Sequence, residues 1–168
     1  MFAELKEGIR SQLETDMGIQ VILANQAESK LQTYPNIYFS VITPYIPQFM
    51  GNYSFDGENL NLEEQPTCTL SFTAQSKNRG MGASFVSGED EALEVAEKAY
   101  EWFRHTGYEY LAYILDVAVV NITGVTSRTA LVVDEIIRRY GFDVQIRYTK
   151  DTSYQVGKIE NVSIEETT

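Results

Sequence analysis

The sequence predicts an α+β fold: a mixed, mainly antiparallel sheet with helices packed on one face, and long exposed loops. Three observations predict it. Cys68, Leu70, Phe72 and Ala74 alternate with Thr69, Ser71, Thr73 and Gln75, and Phe142, Val144, Ile146 and Tyr148 alternate with Asp143, Gln145, Arg147 and Thr149. A period of two is that of strands with unlike faces. Leu93, Ala96, Tyr100 and Phe103 recur at helical spacing. The order of elements is helix, strands, helix, strands, and strands in clusters give a mixed or antiparallel sheet.

Each element follows in turn. Phe2, Leu5, Ile9 and Leu13, with Glu4, Lys6, Glu7 and Arg10 between them, predict a short amphipathic helix that stops near Gly18. Ile19–Ala24 is too short an apolar run for a helix and reads as a strand, and Asn25–Thr33 reads as a polar loop. Tyr34–Tyr45 reads as a strand with Ile37, Phe39 and Val41 on one face; Pro44 and Pro47 are expected to end it, because neither can donate a ladder hydrogen bond. Met50–Gln65 is acidic, with Gly51, Gly57 and three asparagines, and is expected to be a long exposed loop or a loose hairpin. Its scattered apolar residues offer little burial, so it is expected to be mobile until assembly orders it.

Thr67–Gln75 is the cleanest strand, apolar on one face and hydroxyl-rich on the other, as in a half-solvated antiparallel sheet. Ser76–Gly88 reads as a loop. Ser87 is the N-cap of a helix running to about His105, with Glu89, Asp90 and Glu91 where the helix dipole favours anions. Its stripe of Leu93, Ala96, Tyr100 and Phe103 is widened by Ala92, Ala99 and Trp102. Gly107 closes that helix and Tyr108–Leu115 adds a second, short one. Asp116–Val125 is β-rich, Val132–Arg139 is ambiguous, Phe142–Tyr148 is a strand, and Lys158–Glu165 reads as a last one. No internal repeat is visible. The 168 residues, 43% hydrophobic, are about one domain's worth, expected to span 1–168.

Composition narrows the function. Thirteen Lys and Arg against 24 Asp and Glu leave a net charge of −11. Non-specific phosphate binding draws on clustered positive charge, so wrapping DNA or docking on anionic membranes is disfavoured. Cys68 is the only cysteine, so no internal disulfide forms, and one Cys with one His cannot supply a four-ligand zinc site. The first seven residues do not read as a signal peptide, and no apolar run reaches the ~18 residues of a membrane span. The chain is therefore expected to be made in a cytoplasm and to stay soluble, and the sequons at Asn52, Asn121 and Asn161 read as chance matches.

No motif points to catalysis. Gly80-Met81-Gly82 has neither the third glycine nor the lysine spacing of a phosphate loop. A triad would rest on His105, beside Arg104 at a helix end, with no nucleophile or orienting acid in a motif. Cys68, in phase with Leu70 and Phe72, reads as a small buried hydrophobe. Asp56, Glu58, Glu63 and Glu64 lack the ligand order of an EF-hand, and nothing singles out a pair of carboxylates for glycoside hydrolysis. No cofactor or metal is expected. Eleven tyrosines, clustered at Tyr34, Tyr38, Tyr45, Tyr53 and at Tyr108, Tyr110, Tyr113, suit subunit contacts and ordinary strand packing alike.

Three stretches carry a resemblance. They are Tyr34-Pro35-Asn36-Ile37 leading into Ile42-Thr43-Pro44-Tyr45-Ile46-Pro47, then Phe72-Thr73-Ala74-Gln75-Ser76 followed by the helix ending in Trp102-Phe103, then Arg139-Tyr140-Gly141-Phe142-Asp143-Val144-Gln145-Ile146-Arg147-Tyr148 closed by Ile159-Glu160-Asn161-Val162. In that order the chain resembles the neck or tail terminator proteins of tailed bacteriophages and related prophages, over roughly residues 1–165. The resemblance implies an α+β fold, no catalytic residue, and a virion protein assembled in the host cytoplasm. It implies a ring, usually sixfold, that caps the tail tube and joins it to the head-neck connector. The implied partners are further copies of the chain, the tail tube protein and the connector protein, with DNA passing through the ring unbound. The acidic balance suits such a channel. For the subunit interface, the acids Asp56, Glu58, Glu63 and Glu64 on one loop and Lys77 and Arg79 on another are the candidates, since opposite charges on separate loops set a register between neighbours. The rival readings are a connector stopper or minor tail protein, a small non-viral binding module, and an enzyme built on scattered carboxylates.

Overall fold

A computed structural model describes residues 2–24, 33–48, 51–129 and 137–157. Helix α1 is Phe2–Met17, and Leu5, Ile9 and Leu13 form its buried stripe. Arg10 bonds Glu14 at 2.8 Å, and the Glu14 carboxylate accepts the Val21 amide at 3.0 Å, which ties α1 to the strand after it. The strands in chain order are β1 Gln20–Leu23, β2 Asn36–Ile46, β3 Asn52–Phe55, β4 Asn59–Glu64, β5 Thr67–Ser76, β6 Val117–Ile122, β7 Thr126–Ser127, β8 Arg138–Tyr148 and β9 Lys150–Gln155. Helix α2 is Gly88–Glu101 and runs on into a π-helical turn at Trp102–Thr106; a second such turn covers Tyr110–Ile114.

The larger sheet has six strands in the order β1-β2-β5-β8-β6, with β7 also on β8. Among the described residues, only β1 and β2 run parallel; every other pair is antiparallel. The smaller sheet is β3-β4-β9. It continues the central ladder of the larger one: β5 pairs β8 from Thr67 opposite Arg147, and just across Gln65-Pro66 and Thr149, β4 pairs β9 from Glu64 opposite Lys150. The small sheet is thus an arm growing out of the two central strands. The predicted α+β class, mixed and mainly antiparallel, is the class observed.

The core lies between α2 and the large sheet. Phe72 of β5 stacks on Phe39 of β2 at 4.9 Å between ring centres and meets Phe103 at 4.7 Å; Tyr100 stands edge-on to Phe142 at 5.6 Å. Val95, Ala96, Ala99, Trp102 and Phe103 are buried on the helix side. Trp102 donates its indole N–H to Asp16 at 2.7 Å, which fastens α2 to α1. Gly107 is required by close approach: a Cβ there would lie 2.4 Å from the Trp102 ring. Ser87 caps α2 as expected, accepting the Asp90 amide at 3.3 Å.

Several expectations are corrected. Pro44 does not end its strand; β2 runs to Ile46 through register shifts between Val41 and Thr43 and between Thr43 and Ile46, and such a bulge is where a strand tolerates a residue without an N–H. The hydroxyl face of β5 is not half-solvated. On it Ser71 and Gln75 are buried and Thr69 and Thr73 half-buried, and Arg128 lies across the sheet, donating to Ser71 Oγ at 2.6 Å, Thr73 Oγ1 at 2.9 Å and Asp143 Oδ1 at 2.7 Å. The α2 stripe is rotated: Leu93 and Tyr100 are half-buried, and Val95 is buried in their place. Lys150–Gln155 is a strand that hydrophobic periodicity does not announce. Of the two readings of Met50–Gln65, residues 52–64 form the hairpin, its register fixed against β9 rather than loose. The expected loop at Asn25–Thr33, the ambiguous Val132–Arg139 and the expected strand Lys158–Glu165 lie wholly or mostly outside the described residues.

Candidate functional site

The groups that carry chemistry are scattered. Cys68 is fully buried under the sheet, and burial pushes its thiol up to about 11. His105 sits on the surface 3.3 Å from Glu101. Among the described residues, no three His, Cys, Asp or Glu side chains stand together as metal ligands. A surface groove of about 750 Å3 lies between α1 and α2, lined by Asp16, Met17, Ile19, Trp102 and the acids Glu94, Glu97 and Glu101. The features that stand out are instead two protrusions, the arm and the Ser76–Gly88 loop.

The arm is built by alternation. Residues directly opposite on paired strands point to the same face. The register sets Tyr53 against Leu62 and Thr152, and Phe55 against Leu60 and Tyr154. One face therefore carries Tyr53, Phe55, Leu60, Leu62 and Tyr154. The other carries Asn52, Ser54, Asn59, Asn61, Glu63, Asp151, Ser153 and Gln155. At the tip, Asp56 accepts the amides of Asn59 at 2.7 Å and Glu58 at 3.0 Å, which holds its carboxyl well below the usual range and locks the turn. At the base, Lys150 donates to Glu64 at 3.2 Å and lies over the Tyr45 ring at 4.8 Å; the Glu64 bond raises the lysine's pKa. Tyr45 also donates to Glu64 at 3.1 Å.

The Ser76–Gly88 loop is held at its base. Arg79 and Val86 exchange both backbone hydrogen bonds, at 3.2 and 2.8 Å, and Asn78 accepts the Gly88 amide at 2.9 Å. Arg79 grips Glu91 of α2 with two hydrogen bonds, at 2.7 and 2.6 Å. Ser76 donates to the same carboxylate. Gly80 turns with φ +77°, and a Cβ there would lie 2.2 Å from the Ser84 carbonyl oxygen. A 3-10 turn at Gly82–Ser84 then separates Met81 from Phe85, both exposed.

The six candidate interface residues thus fall in different places. Glu58 and Glu63 are exposed on the arm. Asp56 and Glu64 are also on the arm, but their carboxylates serve its own turn and base. Lys77 lies over the Tyr34 ring at 5.0 Å, and Arg79 braces its own loop. The charges do segregate onto the two protrusions. Sequence reasoning by charge passed over the apolar residues beside them, namely Tyr53, named only within the tyrosine cluster that suits subunit contacts, Phe55 and Tyr154 on the arm and Met81 and Phe85 on the loop. The signal for the first two was present: alternation on either side of Asp56-Gly57, a hairpin turn pair.

No curated protein matches the chain. The sequence model of the family described as phage neck terminator protein matches residues 3–168. That match covers all but the first two residues, including every strand of both sheets and the three stretches that carried the resemblance. The chain belongs to the phage neck terminator protein family.

Proposed function

We propose that this protein closes the end of the phage tail tube as a ring, of six copies, and joins it to the head-neck connector. A phage neck terminator is a structural virion protein rather than an enzyme, and it meets other virion proteins at the head–tail junction. The observation that carries the finer reading is the family match over nearly the whole chain. On this reading residues 1–168 form one subunit domain assembled in the host cytoplasm. Its partners are further copies of itself, the tail tube protein and the connector protein.

Two features of the molecule support a ring. It presents two unlike protrusions, and contacts between unlike surfaces, repeated by rotation, close into rings. One protrusion is acidic, with Asp56, Glu58, Glu63 and Glu64, and the other carries Lys77 and Arg79. Opposite charge of this kind sets register between neighbours while each exposed pair adds little affinity. DNA passes through such a ring without specific binding.

The test is sedimentation and negative-stain imaging of the purified full chain over a wide concentration range, alone and with tail tubes. Closed rings, free or seated on tube ends, are expected. A chain that stays monomeric at every concentration and leaves tube ends bare overturns the reading.

A further inference from the structure

We infer that the apolar face of the arm is the seat for the Met81–Phe85 loop of a neighbouring copy. The inference rests on the ring reading above and names the surfaces that make its contact. It starts from exposure. Tyr53, Phe55 and Tyr154 are 59, 62 and 53% exposed, and all three lie on one face of the same three-stranded sheet. The opposite face of that sheet is wholly polar. A small sheet with an apolar face and a polar face is ordinary when the apolar face is covered, and here among the described residues only its base is, by Tyr45.

The occupant follows from charge and from the second protrusion. Strands β3, β4 and β9 with their turn carry five acids, Asp56 and Glu58 at the tip, Glu63 and Asp151 on the polar face and Glu64 beside Lys150 at the base, against that one lysine. A chain with a net charge of −11 has few surfaces that such an arm would not repel. Residues 77–87 are an exception: they contain Lys77 and Arg79 and no acid. The same stretch displays Met81, 86% exposed, and Phe85, 54% exposed, on either side of one 3-10 turn. Acidic and aromatic meets basic and apolar, and the two surfaces are different parts of the chain. They fit head to tail, not face to face, and a head-to-tail contact is the kind that propagates around a ring.

Both surfaces are built before they meet. The Asp56 turn and the β9 pairing fix the arm, and the Arg79–Val86 bridge with the Arg79–Glu91 pair fixes the loop. Little conformational freedom is then lost on docking, so a modest patch gives useful affinity. Arg79, paired with Glu91, holds the loop's shape; Lys77 adds basic charge, and Met81 and Phe85 supply the buried contact. Aromatic anchors in a desolvated centre are where interface energy concentrates.

The experiment uses two variants of the full chain, under whichever condition assembles the wild type. The arm variant is Tyr53→Ser with Phe55→Ser. The loop variant is Met81→Ser with Phe85→Ser. All four side chains are exposed, and circular dichroism with thermal melting checks that each variant folds like the wild type. Each variant alone is expected to raise the self-association constant for dissociation by about tenfold or more, by sedimentation velocity. Mixed together, the two retain one good arm and one good loop between them, so the mixture is expected to form dimers and no rings. Phe85→Leu, which keeps an apolar contact, is expected to assemble. Rings from either double variant at wild-type concentration overturn the inference while leaving the ring reading intact, and assign the arm face to another virion protein. A mixture that stays monomeric also overturns it. A wild type that never assembles, with or without tubes, overturns the ring reading and this contact with it.

Discussion

Arg79 holds Glu91 by two charge-assisted hydrogen bonds, with side chains 37 and 21% exposed. The hydrogen bonds from Arg79 are the largest influence on the Glu91 carboxyl and hold it below its ordinary value of 4.5. The sign of the linkage is then fixed. A carboxyl whose folded-state pKa is depressed stabilises the fold above its unfolded value, and that contribution is lost as pH falls through the folded one. A half-exposed pair of this kind is worth about 0.5–1 kcal/mol. Glu91→Gln is therefore expected to lower the urea midpoint most above pH 4.5, with the gap to wild type closing as pH falls below that value. A gap of constant size from neutral to acid pH would mean that the pair does not brace the loop. Because Glu91 lies in the first turn of α2, weakening it frees the loop without touching the core.

Phe103, in the turn that continues α2, decides how that helix packs. It is 1% exposed, touches Phe72 at 4.7 Å and Trp102 at 4.9 Å between ring centres, and closes α2 onto β5 and β8. Phe103→Ala opens a cavity under the sheet, and a loss of about 3–5 kcal/mol is expected by chemical denaturation. A loss below about 1 kcal/mol would place α2 off the sheet. This contact was legible in the sequence because both partners obey simple periods: Phe72 alternates along its strand, and Phe103 recurs at helical spacing. Legibility failed where burial comes from elsewhere. Ser71 and Gln75 read as solvated because no local pattern tells that Arg128 will lie over one and Asn36 will accept a hydrogen bond from the other at 2.8 Å. Lys150–Gln155 read as nothing, because Lys, Asp, Thr, Ser, Tyr and Gln carry no apolar alternation; its pairing comes from β4, far back in the chain. The two protrusions were legible as charge and loop length. Of the apolar residues on the arm, Tyr53 and Phe55 carried a signal in the alternation beside Asp56-Gly57, whereas Tyr154 did not, because its face is set by the pairing of β9 with β4.

At the scale of the whole molecule, charge is the dominant property. Thirteen cations against 24 acids give −11 per copy, and the proposed ring would multiply that value. Duplex DNA binds proteins by exchanging condensed counterions for Lys and Arg, and the affinity rises as salt is lowered. Among the described residues, six of the thirteen cations pair with the chain's own acids: Arg10 with Glu7 and Glu14, Arg79 with Glu91, Lys98 with Glu94, Arg128 with Asp143, Arg138 with Glu89 and Lys150 with Glu64. The other cations are outnumbered by the surplus acids, which repel phosphates over about a Debye length, ~10 Å at 0.1 M salt. On the ring reading proposed above, this balance is expected to let DNA slide past rather than be held. The expected outcome is that the purified chain, free or assembled, leaves the mobility of a duplex unchanged in native gels, even at ~50 mM salt where electrostatic binding is strong. Retardation that fades with added salt would show a basic surface formed on assembly, and would replace passive passage with a grip on the DNA.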